Sequence, residues 1–169
     1  GGGEGEGVGE DGGTGGGEGG EGGDGGRATR VLAVGDCAGW AVEDCDVRGG
    51  VRVGGRGELA LVCCRITGDA SLPPATGVLV QGRARALLRA CRVEGHQRNG
   101  VTAQNSARLW MQHCVVRDNG LAGIKLAALR PNGVISCCVI IANGRMGLLA
   151  RDCATLAVEA CDIEGNTPG

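Results

Sequence analysis

One phrase of about 23 residues recurs along this chain, and few folds can accommodate it. Aligned on Cys-x-[Val/Ile], it reads Cys45-Asp-Val47, Cys64-Arg-Ile66, Cys91-Arg-Val93, Cys114-Val-Val116, Cys138-Val-Ile140 and Cys161-Asp-Ile163. Successive steps are 19, 27, 23, 24 and 23 residues. A second half follows each of the first five: Gly50-Val-Arg-Val53, Gly77-Val-Leu-Val80, Gly100-Val-Thr-Ala103, Gly123-Ile-Lys-Leu126 and Gly147-Leu-Leu-Ala150. From each Gly to the next Cys is 14 or 15 residues. The length variation therefore sits in one turn, between the Cys unit and the Gly strand. A period of this size marks a solenoid, whose units bury their apolar faces against one another.

The apolar residues keep register with the phrase. Three positions before the Cys stand Val42, Leu61, Leu88, Met111, Ile135 and Val158. Two positions after it stand Val47, Ile66, Val93, Val116, Ile140 and Ile163. The position two before the Cys is mostly polar. Strands alternate inward and outward with period two. The inward phase slips between the first column and the Cys, so the chain must bend there. No apolar stripe of helical period persists, and Gly and β-branched residues are too frequent for helices. The expected fold is all-β: a right-handed parallel β-helix of about five to six coils spanning residues 27–169.

These repeats resemble the right-handed parallel β-helices of the pectin-lyase-like superfamily. The run Asn119-Gly-Leu-Ala-Gly-Ile-Lys-Leu126, followed by Arg130-Pro-Asn-Gly-Val-Ile135, is similar to repeats of β-helix F-box proteins and carbohydrate-binding-and-hydrolysis-type domains. The resemblance covers roughly residues 28–169. It implies the fold, and for function either substrate recognition or work on polysaccharides. One departure stands out: those repeats usually carry Asn where this chain carries Cys45, Cys64, Cys91, Cys114, Cys138 and Cys161. A partial Asn column remains in the turn, at Asn119, Asn143 and Asn166.

Residues 1–26 are different in kind. They hold 17 of the 36 glycines and seven of the 19 acids, with no Lys or Arg. Such a segment cannot bury enough apolar surface to offset its ordering entropy, so disorder is expected. The remaining 12 acids face 17 basic residues, a net charge of +5 for residues 27–169. The chain opens on Gly and stops where the phrase would begin its next strand, so it reads as a fragment of a longer solenoid. No run of about 20 apolar residues suggests a membrane span.

The Cys column reads as a structural ladder of small buried hydrophobes. Stacked thiols pointing the same way make poor disulfide geometry and suit a reducing compartment, so an intracellular location is expected. Cys63, His113 and Cys137 share an outward position, but ligands spread over four coils cannot converge on one metal ion. No metal or cofactor is expected. Outward positions of the Gly strand carry Arg52, Leu79, Thr102, Lys125 and Leu149, with no carboxylate column for acid–base catalysis. His96 reads as a solvated turn residue, and no catalytic residue is assigned. Two Trp and no Phe or Tyr argue against nucleic-acid stacking platforms.

One outward column is apolar throughout. Four positions before the Cys stand Ala41, Ala60, Leu87, Trp110, Val134 and Ala157. An exposed apolar stripe marks an interaction surface, and Trp is enriched at the energetic centres of interfaces. The densest basic stretch is Arg83, Arg85, Arg89, Arg92 and Arg98. The binding candidates are therefore Trp110, Leu87, Val134, Arg89 and Arg92. The leading expectation is a non-catalytic scaffold presenting a flat face to a protein partner. The alternative is a polysaccharide-binding or polysaccharide-cleaving β-helix whose catalytic coils lie outside this sequence.

Overall fold

The computed structural model describes residues 32–37, 39–71, 76–127, 131–152 and 155–167. The expected disordered segment 1–26 lies outside these residues, as do Arg130 of the repeat motif and the middle of the longest turn. The described residues form eighteen short strands in six coils. The first coil holds β1 (Leu32–Val34), β2 (Trp40–Glu43) and β3 (Asp46–Arg48). The second holds β4 (Val51–Val53), β5 (Glu58–Val62) and β6 (Arg65–Thr67). The third holds β7 (Val78–Val80), β8 (Arg85–Arg89) and β9 (Arg92–Glu94). The fourth holds β10 (Val101–Gln104), β11 (Arg108–Gln112) and β12 (Val115–Arg117). The fifth holds β13 (Ile124–Ala127), β14 (Asn132–Ser136) and β15 (Val139–Ile141). The sixth holds β16 (Leu148–Ala150), β17 (Thr155–Glu159) and β18 (Asp162–Glu164).

Every third strand pairs in parallel, giving three six-stranded sheets. Sheet 1 stacks β1, β4, β7, β10, β13 and β16. Sheet 2 stacks β2, β5, β8, β11, β14 and β17. Sheet 3 stacks β3, β6, β9, β12, β15 and β18. The expected parallel β-helix is thus the observed architecture, with six coils. No helix among the described residues is long and apolar enough to cross a membrane.

The expected bend between sheets 2 and 3 is a single residue. Asp44, Cys63, Ala90, His113, Cys137 and Ala160, each just before a ladder Cys, all have φ between 50° and 54°. One left-handed residue turns the chain and resets the inward phase, which is why the alternation slips there. None of the six is Gly, so each coil carries a strain that the stacked sheets must offset.

The repeated Gly has a different reason. An added Cβ at Gly123 would lie 2.6 Å from Cγ2 of Ile140 and 2.7 Å from Nδ2 of Asn143. Gly100 meets Val116 and Asn119, at the end of the coil it opens, in the same way, and Gly147 meets Ile163 and Asn166. The column is Gly because the backbone is pressed against side chains from the third strand and closing turn of the coil that it opens.

The core runs down the axis. Leu61, Leu88, Met111 and Ile135 from sheet 2, Ile66, Val93, Val116 and Ile140 from sheet 3, and Val53, Val80, Ala103 and Leu126 from sheet 1 are buried. Burial fades at the ends. Ile163 of the last coil is 41% exposed, although the same column is fully buried in the middle coils. A coil with one neighbour covers only one of its faces.

Candidate functional site

Sheet 2 has the longest strands, and its outer face is the candidate surface. On β11 the pattern alternates strictly: Leu109 and Met111 are buried, while Arg108, Trp110 and Gln112 are exposed. Parallel pairing puts Trp110 beside Leu87 of β8 and Val134 of β14. These three are 37%, 41% and 38% exposed. Ala60 and Ala41 continue the row on one side, Ala157 on the other. With strands about 4.8 Å apart, the row extends for about 24 Å. The apolar column read from the sequence is therefore one continuous outward stripe, exposed at Ala41, Leu87, Trp110 and Val134 and half-buried at Ala60 and Ala157.

Arginines border the stripe, in a grouping that differs from the sequence run. Arg83 and Arg85 join Arg56 and Arg108 from adjacent coils. With Glu58 and Ser106 they line a groove of about 410 Å³ at the corner between sheets 1 and 2. Arg85, Arg108 and Glu58 share one register, two residues before the stripe. Arg85 Nη1 sits 3.0 Å from Glu58 Oε1. Arg89 is exposed at the far edge of the same strand, beyond the stripe. Arg92 corrects the expectation: the left-handed Ala90 carries it round the corner onto sheet 3, away from Trp110. Arg98 lies in the turn beyond. Arg56 and Arg108 were missed because they lie far from the run. Counting from each ladder Cys would have found them. Eight residues before stand Arg56, Arg83 and Ser106; six before stand Glu58, Arg85 and Arg108.

Inside the solenoid, two polar ladders run along the stack. The Cys column is buried at Cys64, Cys91, Cys114 and Cys138, half-buried at Cys161 and exposed at Cys45 of the first coil. Its sulfurs are free thiols. Cys91 Sγ lies 3.2 Å from the Leu61 carbonyl of the coil before it and 3.3 Å from the Arg89 carbonyl of its own coil. Cys64 and Cys114 repeat the arrangement. A thiol has one hydrogen, so each can donate to one of its two carbonyls at a time. A hydrogen bond from Cys114 draws Cys91 and Cys138 each down to about 7, against the opposing effect of burial. Cys114 itself is pushed far up by its hydrogen bonds to Cys138 and Cys91 and by burial. Because Cys114 has one hydrogen to give, it can support only one neighbouring thiolate.

The second ladder is the Asn column, and His96 belongs to it. Asn166 Oδ1 accepts from Asn143 Nδ2 at 2.8 Å, and Asn143 Oδ1 accepts from Asn119 Nδ2 at 2.9 Å. Asn119 Oδ1 then accepts the backbone N–H of His96 at 3.1 Å. The His96 ring fills the next place, with Nε2 3.2 Å from the Ile66 carbonyl. The expectation of a solvated turn histidine is wrong: His96 is 2% exposed. Its ring nitrogen must donate, since the carbonyl can only accept. Burial holds its pKa below the ordinary histidine value, against a smaller upward pull from the Ile66 carbonyl.

Glu94 is the one buried carboxylate among the described residues. Arg65 and Arg117, from the coils on either side, clasp it: Arg65 Nε donates to Oε1 at 2.8 Å, and Arg117 Nε to Oε2 at 2.8 Å. Burial pushes its pKa up, but the two arginines outweigh that and hold it below the usual glutamate value. Both its oxygens are engaged, so it is a strut between coils rather than an acid or base. Cys63, His113 and Cys137 occupy exposed corners on different coils. No group of three or more His, Cys, Asp or Glu among the described residues is placed to hold a metal ion.

The sequence matches the family described as the right handed beta helix region over residues 31–169. The chain belongs to this family. A search of curated proteins gave no match. Among solved structures, the crystal structure of the periplasmic alginate epimerase AlgG is similar, with a TM-score of 0.61 and 14% sequence identity. The alignment covers 79% of this chain and 39% of the epimerase. At that identity the similarity is one of fold. It agrees with the right-handed pectin-lyase-like β-helix resemblance, while the epimerase extends well beyond the matched part.

Proposed function

We propose that this β-helix is a non-catalytic binding module that docks a protein partner on the outer face of sheet 2. The observation that carries the reading is the exposed register of Leu87, Trp110 and Val134. A 24 Å apolar row, about as long as a six- or seven-residue strand, suits an extended or flat protein surface. Trp110 lies near its middle, where a buried aromatic contributes most. The outward residues of sheet 1 argue in the same direction: Arg52, Leu79, Thr102, Lys125 and Leu149 supply no carboxylate for catalysis. The ladder of free, mostly buried thiols fits a reducing, intracellular compartment.

A second reading is an anionic polysaccharide ligand. It draws on the fold shared with an alginate epimerase and on the arginines beside the stripe. Photo-cross-linking from position 110 separates the two. One discrete protein adduct, competed by the wild-type chain and not by Trp110→Asp, supports the docking face. A saturable heat with alginate or polygalacturonate that Trp110→Ala removes overturns it in favour of the sugar.

A further inference from the structure

We propose that the groove formed by Arg56, Arg83, Arg85 and Arg108 is a carboxylate subsite, through which the partner of sheet 2 engages by an acidic polypeptide segment. The proposal rests on the docking reading above and specifies the partner's chemistry. Four guanidinium groups face one groove carboxylate, Glu58, and Arg85 pairs with it. Asp36, at the lower edge, spends one oxygen on the backbone N–H of Arg56 at 2.7 Å. No ion pair engages Arg56, Arg83 or Arg108 among the described residues.

Arg85 and Arg108 stand directly opposite one another on paired strands. Like charges so placed repel, and a bridging carboxylate would remove the repulsion. Guanidinium forks match carboxylates in a planar, two-bonded geometry. The Arg85–Glu58 pair is an example of that contact already within the groove.

The neighbouring residues select a peptide over a sugar. Arg108 and Trp110 lie on the same strand and the same face, and Trp110 is flanked by Leu87 and Val134. Sugar hydroxyls laid over those aliphatic side chains would lose water without gaining partners. An extended peptide can instead place an apolar side chain on the stripe and a Glu or Asp in the groove.

The test uses three probes on the full chain: a random glutamate–tyrosine copolymer, poly-L-glutamate and polygalacturonate. Isothermal titration is run at low and high salt. The copolymer should bind more tightly than poly-L-glutamate, and salt should weaken both. Arg83→Gln and Arg108→Gln should each weaken copolymer binding roughly tenfold, the scale of one charge-assisted contact. Arg145→Gln, in a turn outside the groove, should leave it unchanged. The subsite is overturned if the two groove variants bind the copolymer like wild type, or if Arg145→Gln costs as much. It is also overturned if polygalacturonate binds as tightly with the same arginine dependence. Trp110→Ala separates the two layers. Arginine dependence without Trp110 dependence overturns the docking face and keeps the subsite; Trp110 dependence without arginine dependence does the reverse. All substituted side chains are exposed, and unchanged thermal melts would establish that each variant is folded.

Discussion

Asn119 Nδ2 donates to Asn143 Oδ1 across 2.9 Å, and the same oxygen accepts the backbone N–H of Asn119 at 3.2 Å. One amide oxygen thus satisfies two donors of the neighbouring coil. The Asn143 amide nitrogen in turn reaches the carbonyls of Val116 and Ile141 at 3.3 and 3.1 Å. Asn143→Leu keeps the approximate volume and leaves several buried groups unpartnered. It should cost about 2–4 kcal/mol of unfolding free energy, read from urea denaturation. Asn166→Leu, on the half-exposed last coil, should cost clearly less because water can replace its bonds.

The Gly column gives a second contrast. Gly123→Ala forces a methyl against Ile140 and Asn143 at the end of the same coil, and overpacking of this kind costs about 1–3 kcal/mol. Gly54→Ala meets only the Gln81 side chain, at 3.6 Å, an ordinary contact. It should stay within about 0.5 kcal/mol of wild type. Equal losses at both sites would show that backbone freedom, rather than close packing, dictates these glycines.

His96 makes stability depend on pH. Its folded pKa lies below the ordinary value of about 6.5, because burial disfavours the imidazolium. Above about pH 6.5 the ring is neutral in both states and its contribution is complete. As pH falls, the unfolded chain takes up the proton first, so stability declines from about pH 6.5 down to the depressed folded value. His96→Asn puts an amide where the Asn column would continue and removes the titrating group. Its unfolding free energy should be nearly flat over that window, while wild type declines. Glu94 loses its own contribution only at more acidic pH, where its lowered pKa is crossed.

The repeat made the coils, the inward columns and the exposed stripe legible, because stacking ties sequence offset directly to position in space. Val42 through Val158 and Val47 through Ile163 could be assigned by counting. His96 was not legible for a chemical reason. Its place in the turn column matched Asn119, but a histidine fills that place with a ring and bonds a carbonyl of the preceding coil, at Ile66. The arginine groove was not legible from charge density along the chain. Arg83 and Arg92 are nine residues apart yet lie on different sides of the solenoid, whereas Arg85 and Arg108 are direct neighbours. In a solenoid, surface charge clusters along columns, and a local run is divided by the corners.

Adjacent cysteines should differ sharply in reactivity. In Cys63-Cys64 and Cys137-Cys138 the first residue sits exposed at the left-handed corner, while the second is buried in the ladder. A thiol buried in an interior column reacts only when its coil opens, and opening is costly in the middle of a stack. Brief treatment of the native protein with iodoacetamide, followed by peptide mass mapping, should modify Cys63 and Cys137 first. Cys64, Cys91, Cys114 and Cys138 should remain protected until denaturant is added. Cys45, already exposed on the first coil, should react nearly as early as the corner cysteines, and half-buried Cys161 at an intermediate rate, because fraying of the last coil exposes it without global unfolding. Labelling of Cys114 as fast as Cys137 would mean that the coils open locally, and the thiol column would then be a reactive surface rather than a core.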